Sequence, residues 1–156
     1  VLEALKRYEF EKNNTKENVK DTNIIPIEST AKYTYKDDNF HFIIVLVDIK
    51  ELRVDKLKLS INNFNKEFFR LLKFDLDNFY TGNTQQMITI SRFENKQKAM
   101  EYYNLMKANQ THLQELNKAK QAKIYVISDD NYTLFFKNIN LRDSYNEFFE
   151  KYYLEN

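Results

Sequence analysis

The pattern of apolar and polar positions separates a polar N-terminal stretch from a longer region of regular periodicity. Leu2 and Leu5 stand at helical spacing, whereas residues 11–30 are dominated by Asn, Lys, Glu and Asp. We therefore expect residues 1–30 to be the end of an upstream helix and a polar linker, and residues 31–156 to fold as one domain. Because the chain begins with Val1, we interpret it as a piece of a larger protein.

The first half of the predicted domain contains both strand and helix periodicities. Residues 40–47 are β-branched or aromatic on both faces, which is typical of a central strand. Apolar residues then recur every three or four positions from Val54 to Phe68, which predicts an amphipathic helix with Asp55 in its first turn. Residues 72–77 alternate as a half-buried strand does.

A hairpin is expected next, because the only glycine, Gly82, follows this strand. We expect Gly82 to adopt a positive φ, which glycine accepts without steric cost. The returning strand covers residues 86–93, with Ile88 and Ile90 on one face.

The second half of the domain contains predicted helix starts. Asn95 is typical of an N-cap, and residues 111–114 match a capping box. Residues 124–127 predict a short strand, while residues 128–137 fit either a helix or a strand. A last helix is expected after Asn140. The residues that we expect it to bury are Leu141, Tyr145, Phe148 and Tyr152.

The order of these elements predicts an α+β fold of the ferredoxin-like type. It reads strand, helix, strand, strand, helix, strand, which is a βαββαβ antiparallel sheet with helices on one face, plus an extra C-terminal helix. Such a sheet has a second face, and the first strand is apolar on that side as well. We expect an apolar arm at residues 24–27, the C-terminal helix or a partner to cover it, and favour cover from within the chain.

Composition excludes several functional classes. With 24 basic against 23 acidic residues, the net charge of +1 provides no strong field for nucleic acid or anionic lipid. The chain has no cysteine, one glycine and two histidines, so we expect no metal site, no phosphate-binding loop and no cofactor. His41 lies in the predicted central strand, where we expect a hydrogen-bonded structural residue.

Catalysis is not expected from the carboxylates. Pairs such as Asp37–Asp38 and Asp129–Asp130 fit a turn and a helix start better than an acid–base dyad. An RNA-binding domain has the same element order, with Phe40 or Phe42 and Phe93 as candidate stacking residues. The near-zero charge and the absence of an RNA-binding motif argue against that alternative.

Residues 88–99 carry a first family resemblance. Their sequence, Ile-Thr-Ile-Ser-Arg-Phe-Glu-Asn-Lys-Gln-Lys-Ala, resembles the strand-to-helix signature of SPOR-like domains, with Arg92 where that pattern has a glycine. SPOR domains bind the glycan strands of peptidoglycan. The resemblance implies peptidoglycan binding as an alternative function.

A longer resemblance covers residues 39–153. It includes Phe-His-Phe at 40–42, Tyr-Tyr at 102–103, Tyr-Val-Ile-Ser at 125–128 and Phe-Phe-Glu-Lys-Tyr-Tyr at 148–153. These motifs are similar to the C-terminal module of Bacteroidetes tetratricopeptide lipoproteins of the SprE/PorW kind, which serve gliding motility and type IX secretion. The resemblance implies a periplasmic, outer-membrane-associated protein that is anchored by an upstream lipid.

Together, these observations predict a non-enzymatic protein–protein assembly module with a protein partner in the cell envelope. We expect its contact surface on or beside the hairpin and the helix that follows. The residues that we predict there are Asp75, Asp77, Arg92 and Lys96.

Overall fold

A computed structural model of the chain describes residues 32–155. Residues 33–155 belong to one compact unit. The upstream helix, the linker and the apolar arm that the sequence predicts over residues 1–30 lie outside the described residues.

The described residues contain a four-stranded sheet in which every neighbouring pair is antiparallel. Its strands are β1 (His41–Asp48), β2 (Asp75–Tyr80), β3 (Gln85–Phe93) and β4 (Lys123–Ser128). They lie in the order β2-β3-β1-β4, so the apolar β1 is central as its composition requires. The predicted α+β, ferredoxin-like arrangement is confirmed.

Two helices pack on the first face of this sheet, and both match their predictions. Helix α1 (Val54–Phe68) buries Leu57, Ile61 and Phe64. Helix α2 (Lys96–Ala108) begins after Asn95, whose side chain accepts a hydrogen bond from the Lys98 amide at 3.0 Å. The residues that this helix buries are Ala99, Tyr102, Tyr103 and Met106.

The second face of the sheet is covered by the C-terminal part of the chain. After the short helix α3 (Gln114–Lys118) and β4, the chain forms α4 (Asp129–Lys137) and α5 (Arg142–Phe149), which are joined by a 3-10 turn at Ile139–Leu141. Tyr132 of α4 packs 5.0 Å from Phe42, and its hydroxyl shares a 3.1 Å hydrogen bond with Thr89. The favoured prediction, cover from within the chain, is therefore confirmed.

Aromatic rings fill the core on the first face. The ring of Tyr102 is fully buried and lies 5.1 Å from that of Phe93 and 5.5 Å from that of Phe64. Its hydroxyl donates to Asn65 Oδ1 at 2.6 Å, which satisfies both buried polar groups. This hydrogen bond links α2 to α1.

Two predictions about the hairpin are wrong. Strand β2 begins at Asp75 and not at residue 72, since Leu72 is 58% exposed in the loop before it. The hairpin itself forms, but Gly82 does not adopt a positive φ. The bend of the turn lies at residues 82–84.

Two predicted helix starts are also wrong. Within the described residues no side chain caps α3, which begins after Leu113 and not through a capping box at Thr111. Asn140 lies inside the 3-10 turn and does not cap α5. The buried face of this last helix carries Tyr145, Phe149 and, in a π-helical turn at Glu150–Leu154, Tyr153. The predicted set was therefore out of phase with the helix beyond Tyr145.

Candidate interaction surface

The buried histidine has a structural role. His41 is fully buried, with Nδ1 2.7 Å from the Asn39 carbonyl oxygen and Nε2 3.0 Å from the Tyr153 hydroxyl. A carbonyl can only accept, so Nδ1 carries the proton and the Tyr153 hydroxyl donates to Nε2. Burial lowers the pKa of His41, which keeps the ring neutral. The prediction of a hydrogen-bonded structural histidine is confirmed.

The buried tyrosines are equally unreactive at neutral pH. Burial raises the pKa of Tyr33 and of Tyr125 to about 12, and it raises that of Tyr145 well above its ordinary value. The Tyr145 hydroxyl donates to the Val126 carbonyl oxygen at 2.7 Å. Among residues 32–155, no group of His, Cys, Asp and Glu side chains could hold a metal ion.

Lys96 is used within the domain. Its ammonium donates to the Tyr152 carbonyl oxygen at 2.9 Å and to the Tyr35 hydroxyl at 2.5 Å, and it lies 4.7 Å from the Tyr35 ring centroid. These contacts hold the segment before β1 against the C-terminal turn. The half-buried Lys96 thus has an internal role, and its predicted contact with a partner stays a prediction.

Asp75 and Asp77 lie on the same face of β2, because side chains two positions apart in a strand share a face. Asp77 is paired with Thr89, so this is the face that α4 covers farther along the sheet. Burial raises the pKa of Tyr132, and the nearby Asp77 charge adds to that shift. Within the described part of the chain, neither carboxylate forms a hydrogen bond or an ion pair.

Arg92 lies near the end of β3, one residue after Ser91, which pairs with Asp75. Its side chain is exposed, and the guanidinium carbon lies 3.8 Å from the centroid of the Phe40 ring. This stacking holds the charge at the end of the sheet while leaving its hydrogen-bond donors open to solvent. The structure thus brings Asp75 and Arg92 to the same end of the β2–β3 pair.

An apolar groove of about 450 Å³ opens beside Arg92. Its floor consists of Phe69, Phe74 and Phe93, with ring centroids of neighbouring pairs 5.0–5.6 Å apart. Next to it, Leu71 is 98% exposed. The other residues that line the groove are Leu72, Lys73, Arg92, Glu94, Lys98 and Glu101.

The sequence did not predict this groove, because the residues of its floor come from a loop and from β3. One signal was present. Residues 69–74 read Phe-Arg-Leu-Leu-Lys-Phe, which is more apolar than a connection between a helix and a strand requires. The alternation over residues 72–77 predicts a strand for the second half of that run.

The outer edge of β2 is open within the described residues, since no strand among residues 32–155 pairs with it. The Thr81 amide donates to the Gln85 carbonyl oxygen at 2.9 Å, so these two residues form a hydrogen-bonded pair at the hairpin end of β2 and β3. Because hydrogen-bonded and non-hydrogen-bonded pairs alternate in an antiparallel ladder, the backbone groups of Leu76, Asn78 and Tyr80 point outward.

The opposite edge of the sheet is different, because α5 lies against β4. Tyr145 binds the Val126 carbonyl oxygen, and Asn146 accepts a hydrogen bond from the Tyr125 hydroxyl at 3.1 Å. The two edges are therefore not equivalent, and β2 is the one that the described residues leave accessible.

Comparisons with known proteins add no family to this picture. No protein-family model matches the chain, and no curated protein matches it significantly. Within residues 32–155, none of the helices has the length and apolar character needed to cross a bilayer.

Proposed function

We propose that this chain is a non-enzymatic protein–protein assembly module. The observation that supports this function is that helices of the domain cover both sheet faces, while the β2 edge and its groove stay accessible within residues 32–155. RNA that binds to a sheet stacks its bases on exposed aromatic rings, and we expect a glycan on a sheet face to use exposed rings as well. Phe42 and Phe93 are buried, 8% and 4% exposed, so neither ring can stack on such a ligand. The ring of Phe40 is 41% exposed, and the Arg92 guanidinium already stacks on it.

The cellular setting that we propose is the periplasm, in a lipoprotein attached to the outer membrane through an upstream anchor, as in type IX secretion. The support is the resemblance of residues 39–153 to such modules. Several residues of that resemblance meet in one place: the Tyr103 and Phe149 rings pack 5.5 Å apart, and the Phe149 and Tyr125 rings 5.3 Å apart. The shared motifs thus describe a core, and the partner contacts lie elsewhere on the domain.

The proposal predicts that Arg92→Glu weakens partner capture about tenfold without unfolding the domain. The substitution removes the exposed guanidinium that stacks on Phe40, and with it the hydrogen-bond donors that it offers to a partner at the rim of the groove. Capture is measured by crosslinking in cells and by pull-down from envelope extracts, and circular dichroism checks the fold.

Lys120→Glu is the matched control, because this exposed lysine precedes β4 at the opposite end of the sheet. Undiminished capture by a folded Arg92→Glu variant would remove this surface from consideration. Pelleting of the domain with peptidoglycan sacculi, stronger on sacculi stripped of stem peptides, would replace protein assembly by glycan binding.

A further inference from the structure

We propose that β2 binds an extended segment of the partner as a fifth strand, and that this segment alternates basic and apolar residues. The inference rests on the proposed function, since it specifies how the same surface recognises a protein. It is carried by the open backbone of β2, the side-chain pattern of that strand, and the groove at its start.

The backbone of β2 provides the hydrogen bonds. Its outward N–H and C=O groups, those of Leu76, Asn78 and Tyr80, repeat every second residue as a new strand requires. The side chain of Asn78 is held by Lys58 Nζ at 3.0 Å and by Gln86 Oε1 at 3.0 Å. These bonds fix the edge strand in place, so an incoming strand meets an ordered template.

The side chains of β2 define the chemistry of the partner. Asp75 and Asp77 lie on one face and, among the described residues, have no cationic partner. The other face has Leu76 and Tyr80, the latter 69% exposed. Opposite charges and apolar pairs across neighbouring strands are each favourable, so the complementary strand has Lys or Arg on one face and apolar residues on the other.

The groove provides an anchor for one further apolar side chain. Phe74 immediately precedes β2 and forms part of the groove floor. A segment that runs along β2 and continues past Asp75 therefore reaches the groove. An apolar side chain of the partner that is buried there adds hydrophobic binding energy, which backbone hydrogen bonds alone do not provide.

A second copy of this chain fits the edge less well. A two-fold axis perpendicular to the sheet would relate the two β2 strands of such a pair. Directly paired residues have side chains on the same face, so the axis must pass a residue that lies opposite its own copy. Pairing about Asp77 places two carboxylates directly opposite each other. Pairing about Asn78 leaves Asp77 of both copies on one face without a basic neighbour.

The test uses the full chain and two blocked hexapeptides, one alternating lysine with valine and the other alternating glutamate with valine. We expect the lysine peptide to shift and protect the amides of Leu76, Asn78 and Tyr80 in NMR spectra. Its dissociation constant is expected to be about fivefold lower than that of the glutamate peptide. The double variant Asp75→Lys, Asp77→Lys is expected to reverse this preference.

Tyr80→Pro and Tyr80→Ala separate the backbone contribution from the ring. Both remove the exposed ring, but only proline removes the outward N–H, so only Tyr80→Pro should lose the protection at this end of the strand. Equal binding of both peptides, or shifts away from β2, would overturn the inference. Protection of these amides in the absence of peptide would also overturn the inference. This holds if the protection increases with protein concentration, as pairing with a second copy would cause, and equally if it does not.

The proposed function has a separate readout. Partner capture that is sensitive to Arg92→Glu but unaffected by the Asp75→Lys, Asp77→Lys variant would leave protein assembly in place and reject strand addition. Loss of capture with the charge-reversed strand would support both.

Discussion

Side-chain hydrogen bonds between distant segments hold several residues of this domain in place. Asn131 accepts from the Thr34 amide at 3.0 Å and donates to the Thr34 carbonyl oxygen at 2.8 Å. His41 has an equivalent function between Asn39 and Tyr153. Such buried polar groups cost free energy whenever a partner is lost, so they specify where the chain enters and leaves the sheet.

His41 makes the stability of the domain dependent on pH. Its folded pKa lies below the ordinary value of 6.5 because burial outweighs the opposite effects of Asn39, Asp129 and Asp37, with a small further contribution from the Lys96 charge. The unfolded chain therefore binds more protons just below that value. We expect the free energy of unfolding to be unaffected by His41 above about pH 7 and to fall as the pH drops below about 6.5.

Urea denaturation at a series of pH values between about 7.5 and 5.5 measures this effect. The variant His41→Gln should show a smaller decline over this interval than the parent chain. An identical slope in the His41→Gln variant would mean that other groups cause the dependence.

At the scale of elements, a helix end is defined by a cap only where the geometry allows the side chain to reach the amide. Asn95 has an extended backbone and accepts from Lys98, so its side chain satisfies one of the amides that the first turn leaves unpaired. We expect Asn95→Ala to lower the free energy of unfolding by about 1 kcal/mol.

Thr111→Ala is the matched comparison for this prediction. Thr111 has the residue type of a cap, but α3 begins three residues later, after Leu113. We expect less than about 0.5 kcal/mol from this change, which is the ordinary range of a surface substitution. Equal losses for the two variants in urea denaturation would contradict the assignment of the cap.

The elements that could be predicted from the sequence are those whose pattern extends over many residues. The periodicity of α1 and the two-sided apolar character of β1 extend over many residues, so they identify those elements and their place in the sheet. The face of α5 depends on a few aromatic residues, all of which could be buried in a helix. Only packing against β4 selects Phe149 over Phe148.

The candidate surface divides in a similar way. Asp75, Asp77 and Arg92 were identified from the hairpin and its charges. The groove was not, because Phe69, Phe74 and Phe93 meet through tertiary packing. Lys96 was chosen for its position at the start of α2, and the contacts that it makes with Tyr35 and Tyr152 depend on both ends of the domain.

For the whole molecule, Arg142 joins the C-terminal helices to the hairpin. Its guanidinium donates to three backbone carbonyl oxygens, those of Phe135 at 3.0 Å, Phe136 at 3.1 Å and Thr81 at 3.2 Å. The first two lie near the end of α4, and the third lies where β2 turns toward β3. One side chain thus fixes the position of α4 over the second face of the sheet and satisfies carbonyls that a helix end leaves unpaired.

We expect Arg142→Ala to lower the free energy of unfolding by about 3 kcal/mol, because hydrogen bonds from a charged donor contribute more than neutral ones and the carbonyls are half-buried. Arg53→Ala is the control: Arg53 pairs with Asp55 on the exposed surface at 2.7 Å, where solvent screens the pair and its contribution to stability is small. Urea denaturation compares the two variants. Hydrogen exchange at the amides of Thr89 and Tyr132 then tests whether α4 separates from the sheet. If the effect of Arg142→Ala is only local, those amides will stay as protected as in the parent chain.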